Sequence, residues 1–223
     1  MDSEQNFRLK AGLRTSCRSN KLARGGPAIP QHWFAIMENG TIKSIVPEDW
    51  DDFVEFISRH RDEIARGGYD LRIEKDWARD LTAEDLLLLI EHCPSSRLTI
   101  ASATKSVEVL DRLARDTSID VREAVADNLR TATGTLNSLS KDAAAAVRMA
   151  VAENANVSEA DLERLAKDPV NYVRWGVAHN EKTPSGVLEP LIKDGDSYVS
   201  DEARTNPNAP KRGFLARLFK WRR

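Results

Sequence analysis

No stretch of this chain runs to 18 consecutive apolar residues, which excludes a membrane-spanning helix, and its first residues hold no apolar secretory core. Cysteine is scarce: Cys17 and Cys93 stand far apart and cannot form a disulfide framework, which suits a reducing compartment, and the expected location is cytoplasmic. Aromatic residues make up 6% of the chain, too few for a core built on rings. The four histidines, His32, His60, His92 and His179, show no metal-ligand spacing. The phosphate-cradling G-x-x-x-x-G-K-[ST], the nucleophile elbow G-x-S-x-G and the zinc motif H-E-x-x-H are all missing. His92-Cys93 is the single adjacency of soft ligands, and a cysteine at a helix C-terminus gains no thiolate stabilisation from the helix dipole, so it reads as a structural thiol. The expectation is a protein without catalytic centre, metal or cofactor.

The net charge of −2 hides a segregation. Residues 1–33 carry six basic and two acidic groups, residues 34–95 seven basic and fifteen acidic, and residues 96–210 fourteen basic and eighteen acidic. The last thirteen residues add six basic groups and no acid. Basic ends therefore flank an acidic body, which repels polyphosphate at long range and argues against nucleic acid as its default partner.

What the chain does have is a repeat. V-R-E-A-V-A-D-N at 121–128 returns as V-R-M-A-V-A-E-N at 147–154 and V-R-W-G-V-A-H-N at 173–180, with a decayed copy, V-S-D-E-A-R-T-N, at 199–206. The opening valines, Val121, Val147, Val173 and Val199, are 26 residues apart, a period that signals stacked supersecondary units. Val121, Ala124, Val125 and Asn128 share one helical face, and a second helical run follows in Leu136-x-x-Leu139, Leu162-x-x-Leu165 and Leu188-x-x-Leu191. Helices of about two turns are marginal alone, so the units must stack to bury their apolar stripes. Ser96–Ala103, followed by Leu110-x-x-Leu113, reads as a degenerate earlier copy.

Two polar ladders keep the same period. Asp116, Asp142 and Asp168 each precede by six residues an arginine, Arg122, Arg148 and Arg174, and Asp194 extends the acidic column. The primary reading is a structural Asp-Arg ladder; a phosphate-binding arginine stripe is the alternative. Asn128, Asn154, Asn180 and Asn206 stand where each helix ends, suited to capping or to bridging loop backbone.

V-R-x-A-V-A-x-N, a loop with Thr183-Pro184 or Asn206-Pro207, then L-x-x-L-A-x-D together resemble the leucine-rich repeat variant family, over roughly residues 96–210. The six-residue Asp-to-Arg spacing is also similar to HEAT repeats, which are longer and rank second. The resemblance implies a right-handed superhelix of short helix pairs, an architecture rather than an activity. The best known member of that family carries a cysteine-ligated iron-sulfur cluster ahead of its repeats, and this chain lacks the four clustered cysteines for one.

In chain order, residues 1–31 are polar and basic and read as a disordered tail. Residues 32–80 read as a small α+β unit that caps the array: apolar runs flank Asn39-Gly40, a hairpin signal, and Tyr69–Glu74 is a candidate third strand. Between them Trp50, Phe53, Val54, Ile57 and Ile64 keep one helical face up to Gly67-Gly68. Residues 81–210 form the helical array, beginning with a helix whose Thr82 and Asp85 are spaced as a capping box. Residues 211–223 read as a basic amphipathic helix with Phe214, Leu218, Phe219 and Trp221 on one face, fit to bind a membrane surface or a partner, or to cover the last repeat.

The repeat is broken most informatively by aromatics. Where two copies carry Glu123 and Met149 the third has Trp175, and Tyr172 and Tyr198 replace Asp120 and Ala146. Stacking should bring Tyr172, Trp175 and Tyr198 together, with His179 one turn from Trp175, either as a binding hot spot or as groove packing. The expected function is a non-catalytic scaffold or adaptor that presents an extended surface to a protein or peptide. The alternatives are a nucleic-acid-binding HEAT-like protein using the arginines, and a membrane-peripheral adaptor through residues 211–223.

Overall fold

The computed structural model describes residues 14–16, 34–38, 41–46, 50–66 and 70–210. The chain divides into two compact units, residues 1–109 and 110–223.

In the first unit, β2 (Phe34–Glu38) and β3 (Thr41–Val46) are antiparallel partners, as the flanks of Asn39-Gly40 lead one to expect, with a register shift between Ile36 and Met37. The third strand is not Tyr69–Glu74. Arg14–Ser16 supply it as β1, pairing antiparallel with β2 so that Arg14 faces Ile36, although they lie in the tail read as disordered. Around Leu71 there is one isolated bridge residue only. The rest of the basic tail, and residues 39–40, fall outside the described residues.

Helix α1 (Trp50–Ala65) buries Phe53, Phe56, Ile57 and Ile64, and is kinked at His60, where the backbone leaves helical angles and the imidazole lies 4.4 Å from the Phe56 ring. Val54, expected on the buried face, is 40% exposed, because the apolar face is centred on Phe53, Phe56 and Ile57. α1 packs on α3 (Ala83–His92), and α2 (Lys75–Asp80) on α4 (Arg97–Ala103), while Trp77 of α2 stacks on Phe53 at 5.0 Å. Thr82 caps α3 by accepting the Asp85 amide at 3.2 Å, and its hydroxyl donates to the Asp85 carboxylate at 2.6 Å. A 3-10 turn at Pro94–Ser96 ties the connection to residues 70–71: the Ser95 amide and hydroxyl donate to Asp70 at 3.1 and 2.6 Å, and the buried Ser96 hydroxyl donates to the Leu71 carbonyl. Cys93 is buried beside this turn, and loss of water raises its thiol to about 11. It stays protonated at neutral pH.

α5 (Val107–Leu113) crosses the division and leads into the repeats of the second unit. Each repeat is a nine-residue helix followed by a seven-residue one: α6 (Ile119–Asp127) and α7 (Thr133–Leu139), α8 (Ala145–Glu153) and α9 (Glu159–Leu165), α10 (Asn171–His179) and α11 (Ser185–Leu191), then α12 (Ser197–Thr205). The longer helices pack in order, α6 on α8, α8 on α10 and α10 on α12, which makes the unit a helical repeat stack. Val121, Val147, Val173 and Val199 are buried at equivalent places, as are Leu136 and Leu139, Leu162 and Leu165, and Leu188 and Leu191. Ala126, Ala152 and Ala178 are fully buried too, off the expected stripe. A helix with a neighbour on either side buries two edges, so its apolar arc is wider than one i, i+3, i+4 stripe. Gly176 marks the closest approach: a Cβ there would lie 3.2 Å from the Ala152 methyl.

Candidate interaction surface

The polar ladders hold the stack together. Arg122 Nε and Nη2 donate to both carboxylate oxygens of Asp142, 20 residues on in the next repeat, at 2.7 and 3.0 Å. Arg148 does the same to Asp168 at 2.7 and 3.0 Å, and Arg174 to Asp194 at 2.7 and 2.9 Å. The acid six residues earlier is not the side-chain partner that the spacing suggests. It offers its backbone carbonyl, to which Nη1 donates at 2.8 Å from each arginine: Asp116 to Arg122, Asp142 to Arg148 and Asp168 to Arg174. Each aspartate also accepts the amide two residues on, as Asp142 does from Ala144 at 2.8 Å and Asp116 from Ser118 at 2.8 Å. Every arginine thus spends three donors, two on the next repeat's carboxylate across the joint and one on a carbonyl of its own repeat.

The electrostatics agree with that geometry. Hydrogen bonds from Arg122 and Arg174 hold Asp142 and Asp194 below the usual carboxylate range. Burial pushes Asp168 the other way, but the bonds from Arg148 and from the Val170 amide outweigh it and the net shift is downward. The three guanidinium groups are raised by the same bonds.

The asparagines bridge in parallel. Asn154 Nδ2 donates to the Ala126 carbonyl at 2.6 Å, Asn180 to Ala152 at 2.7 Å and Asn206 to Ala178 at 2.7 Å, each also reaching the preceding asparagine's carbonyl. Their side-chain oxygens accept the amide two residues on, from Asn156, Lys182 and Asn208. One amide group therefore closes its own loop and caps the helix before it.

A buried polar group that the sequence reading passed over is Asp161 in α9. Its carboxylate accepts from Asn137 at 2.8 Å, Ser140 at 3.1 Å, Ser158 at 2.6 Å and Arg164. Burial raises its pKa, yet those donors bring the net shift below the ordinary range. The column has threonine at 135 and valine at 187, so no periodic signal marks it. Among the described residues no group of three or more His, Cys, Asp or Glu side chains could hold a metal ion, and no helix is long and apolar enough to cross a membrane.

A candidate surface for a ligand is the outer stripe of the longer helices, the positions equivalent to 120, 123 and 127. It reads Asp120, Glu123, Asp127 on α6; Ala146, Met149, Glu153 on α8; Tyr172, Trp175, His179 on α10; and Tyr198, Asp201, Thr205 on α12. Not one of these twelve is lysine or arginine. Trp175 is half-buried and stacks on the His179 imidazole, their ring centroids 4.9 Å apart and their planes tilted 13°, and His179 Nδ1 donates to Glu202 of α12 at 2.8 Å. That chain fixes the indole between two helices. The structure thus brings Trp175 and His179 together, whereas neither tyrosine ring stacks on Trp175; Tyr172 is 42% and Tyr198 79% exposed. Asp127 and Glu153 keep open surface but are partly desolvated by their neighbours, which raises both carboxyl groups, and on Glu153 nearby His179 acts downward and Asp127 upward. Phe214, Leu218, Phe219 and Trp221, with the whole 211–223 segment, lie outside the described residues.

No family model matches the chain and no curated protein does. Among solved structures the chain is similar to "A leucine-rich repeat variant with a novel repetitive protein structural motif", at 27% identity over 65% of this chain and with a TM-score of 0.45. The match spans 62% of that structure's length.

Proposed function

We propose that this protein is a non-catalytic, cytoplasmic interaction module that captures a protein or peptide on the outer stripe of α6, α8, α10 and α12. The observation that carries this is Trp175, held by His179 and Glu202 on a face where two further large rings are open to solvent. Rigid aromatics lose little side-chain entropy on binding and exclude much water, which is why they dominate protein-binding hot spots. Groove packing does not account for Tyr198, which is 79% exposed. The nucleic-acid alternative needs free arginines, and Arg122, Arg148 and Arg174 each spend three donors on a neighbouring carboxylate and a carbonyl.

A photo-crosslinking amino acid at Tyr198 should, in cells, join the chain to one specific protein, and the adduct should fall at least tenfold on adding Trp175→Ala. The same group at Glu163, exposed on a different helix, should not. Equal adducts from both positions, or no effect of Trp175→Ala in a chain that keeps its helical circular dichroism, would refute the reading.

A further inference from the structure

The stripe of α6, α8, α10 and α12 has a defined chemistry: acidic at Glu123, Asp127 and Glu153, apolar and aromatic at Met149, Tyr172, Trp175 and Tyr198, and without a lysine or arginine among its twelve positions. Its complement is a short segment carrying several basic groups and several large apolar side chains together. The chain has such a segment in K-R-G-F-L-A-R-L-F-K-W-R-R, residues 211–223, with six basic groups and no acid. It begins directly after the last described residue, Pro210, which follows α12.

Reach is sufficient. Thirteen residues span about 45 Å extended or about 20 Å as a helix. Neighbouring helix axes lie about 9 Å apart, so α10 is one step from α12, α8 two and α6 three, about 27 Å, a distance that the segment covers when at least partly extended. A tethered segment also has an effective concentration on the order of millimolar, so modest affinity suffices.

We propose, resting on the reading of this stripe as the interaction surface, that residues 211–223 of the same chain occupy it. Phe214, Leu218, Phe219 and Trp221 cover Met149, Trp175 and the tyrosines, and the basic groups face Glu123, Asp127 and Glu153. The segment then competes with a partner arriving from solution, and only a partner that displaces it gains the aromatic surface.

The test uses full-length chains and a fluorescein-labelled synthetic peptide of residues 211–223. In wild type the stripe is filled and labelled peptide binds weakly. In a chain with Arg217→Glu, Lys220→Glu, Arg222→Glu and Arg223→Glu the stripe is vacated, and anisotropy should show peptide binding at least tenfold tighter, weakened by salt. Trp175→Ala added to that chain should reverse the gain at least tenfold without changing circular dichroism. Equal peptide binding by wild type and the charge-reversed chain, or a gain that survives Trp175→Ala, overturns the proposal. So does a failure of both chains to bind the peptide, while the Tyr198 adduct separately decides whether the stripe has another partner. Vesicles of phosphatidylcholine and phosphatidylserine provide the remaining arm. Trp175→Ala should free the segment and raise vesicle binding by the full chain; binding that ignores Trp175 identifies a membrane anchor and overturns the proposal.

Discussion

At the residue scale, the same few side chains do two structural jobs at once, and this is what makes substitutions at them costly. Asp168 accepts both Arg148 bonds and the Val170 amide, so Asp168→Asn removes the charge from one pair and leaves a guanidinium partly unmatched. Hydrogen bonds to charged groups contribute about 1.5–3 kcal/mol. A loss of about 2 kcal/mol at pH 7 is expected in urea unfolding followed by circular dichroism. The pH dependence has a definite sign. The Asp142, Asp168 and Asp194 carboxyls are depressed in the folded chain, so their contribution is complete above the unfolded value of about 3.9 and is lost as pH falls through the lower folded values. Wild type should therefore lose its advantage over Asp168→Asn below about pH 4. A gap unchanged at pH 3 would mean that the pair contributes shape rather than charge. Asp127 and Glu153 work in the opposite direction, their raised values making the ionised forms slightly unfavourable at neutral pH.

At the element scale, helices of seven and nine residues are too short to persist alone. A synthetic peptide of residues 145–170, one full repeat, should show coil-like circular dichroism in water, whereas stable helix in it would refute obligatory stacking. In the whole chain Leu162→Ala, at a fully buried site between two helices, should cost about 2–5 kcal/mol, read as a lower urea midpoint. The helix pairs were legible from the sequence because valine and leucine recur at helical spacing and the period is unbroken. The partner of each arginine was not. Along the sequence the nearest acid is six residues back, but α6 and α8 are adjacent in space, and the guanidinium reaches across the joint to the next repeat's Asp142. The same blindness to lateral neighbours hid Ala126, Ala152 and Ala178, whose burial is owed to a second packed helix. β1 escaped for a different reason: three residues of polar and basic composition become a strand only because the β2 edge offers unpaired backbone. Of the candidate surface, Trp175 and His179 could be placed one turn apart from spacing alone. Glu202, which fixes His179, came from the next repeat and carried no sequence mark.

At the scale of the whole repeat unit, the joints α6–α8, α8–α10 and α10–α12 are built alike: one arginine bound to the next repeat's aspartate, and one asparagine bound back to the preceding helix. A stack joined through nearest-neighbour contacts that share this pattern has stability that sums over joints, so it should open from where a joint is weakened rather than all at once. Arg174→Met removes the ion pair across the joint to α12, together with the bond to the Asp168 carbonyl in its own repeat, and leaves Asp194 with its Asp196 amide but no cation. Hydrogen exchange should then speed up in α12 by about tenfold or more, as expected for a loss of roughly 1.4 kcal/mol or greater, with α6 and α8 unchanged. Arg148→Met cuts the middle joint, and exchange should rise across α10 and α12 as well as at the α8 edge, because both helices beyond the break lose their support. Identical protection profiles for the two variants, with α6 through α12 affected equally, would show that the stack unfolds as one block and that the joints are not its units of stability.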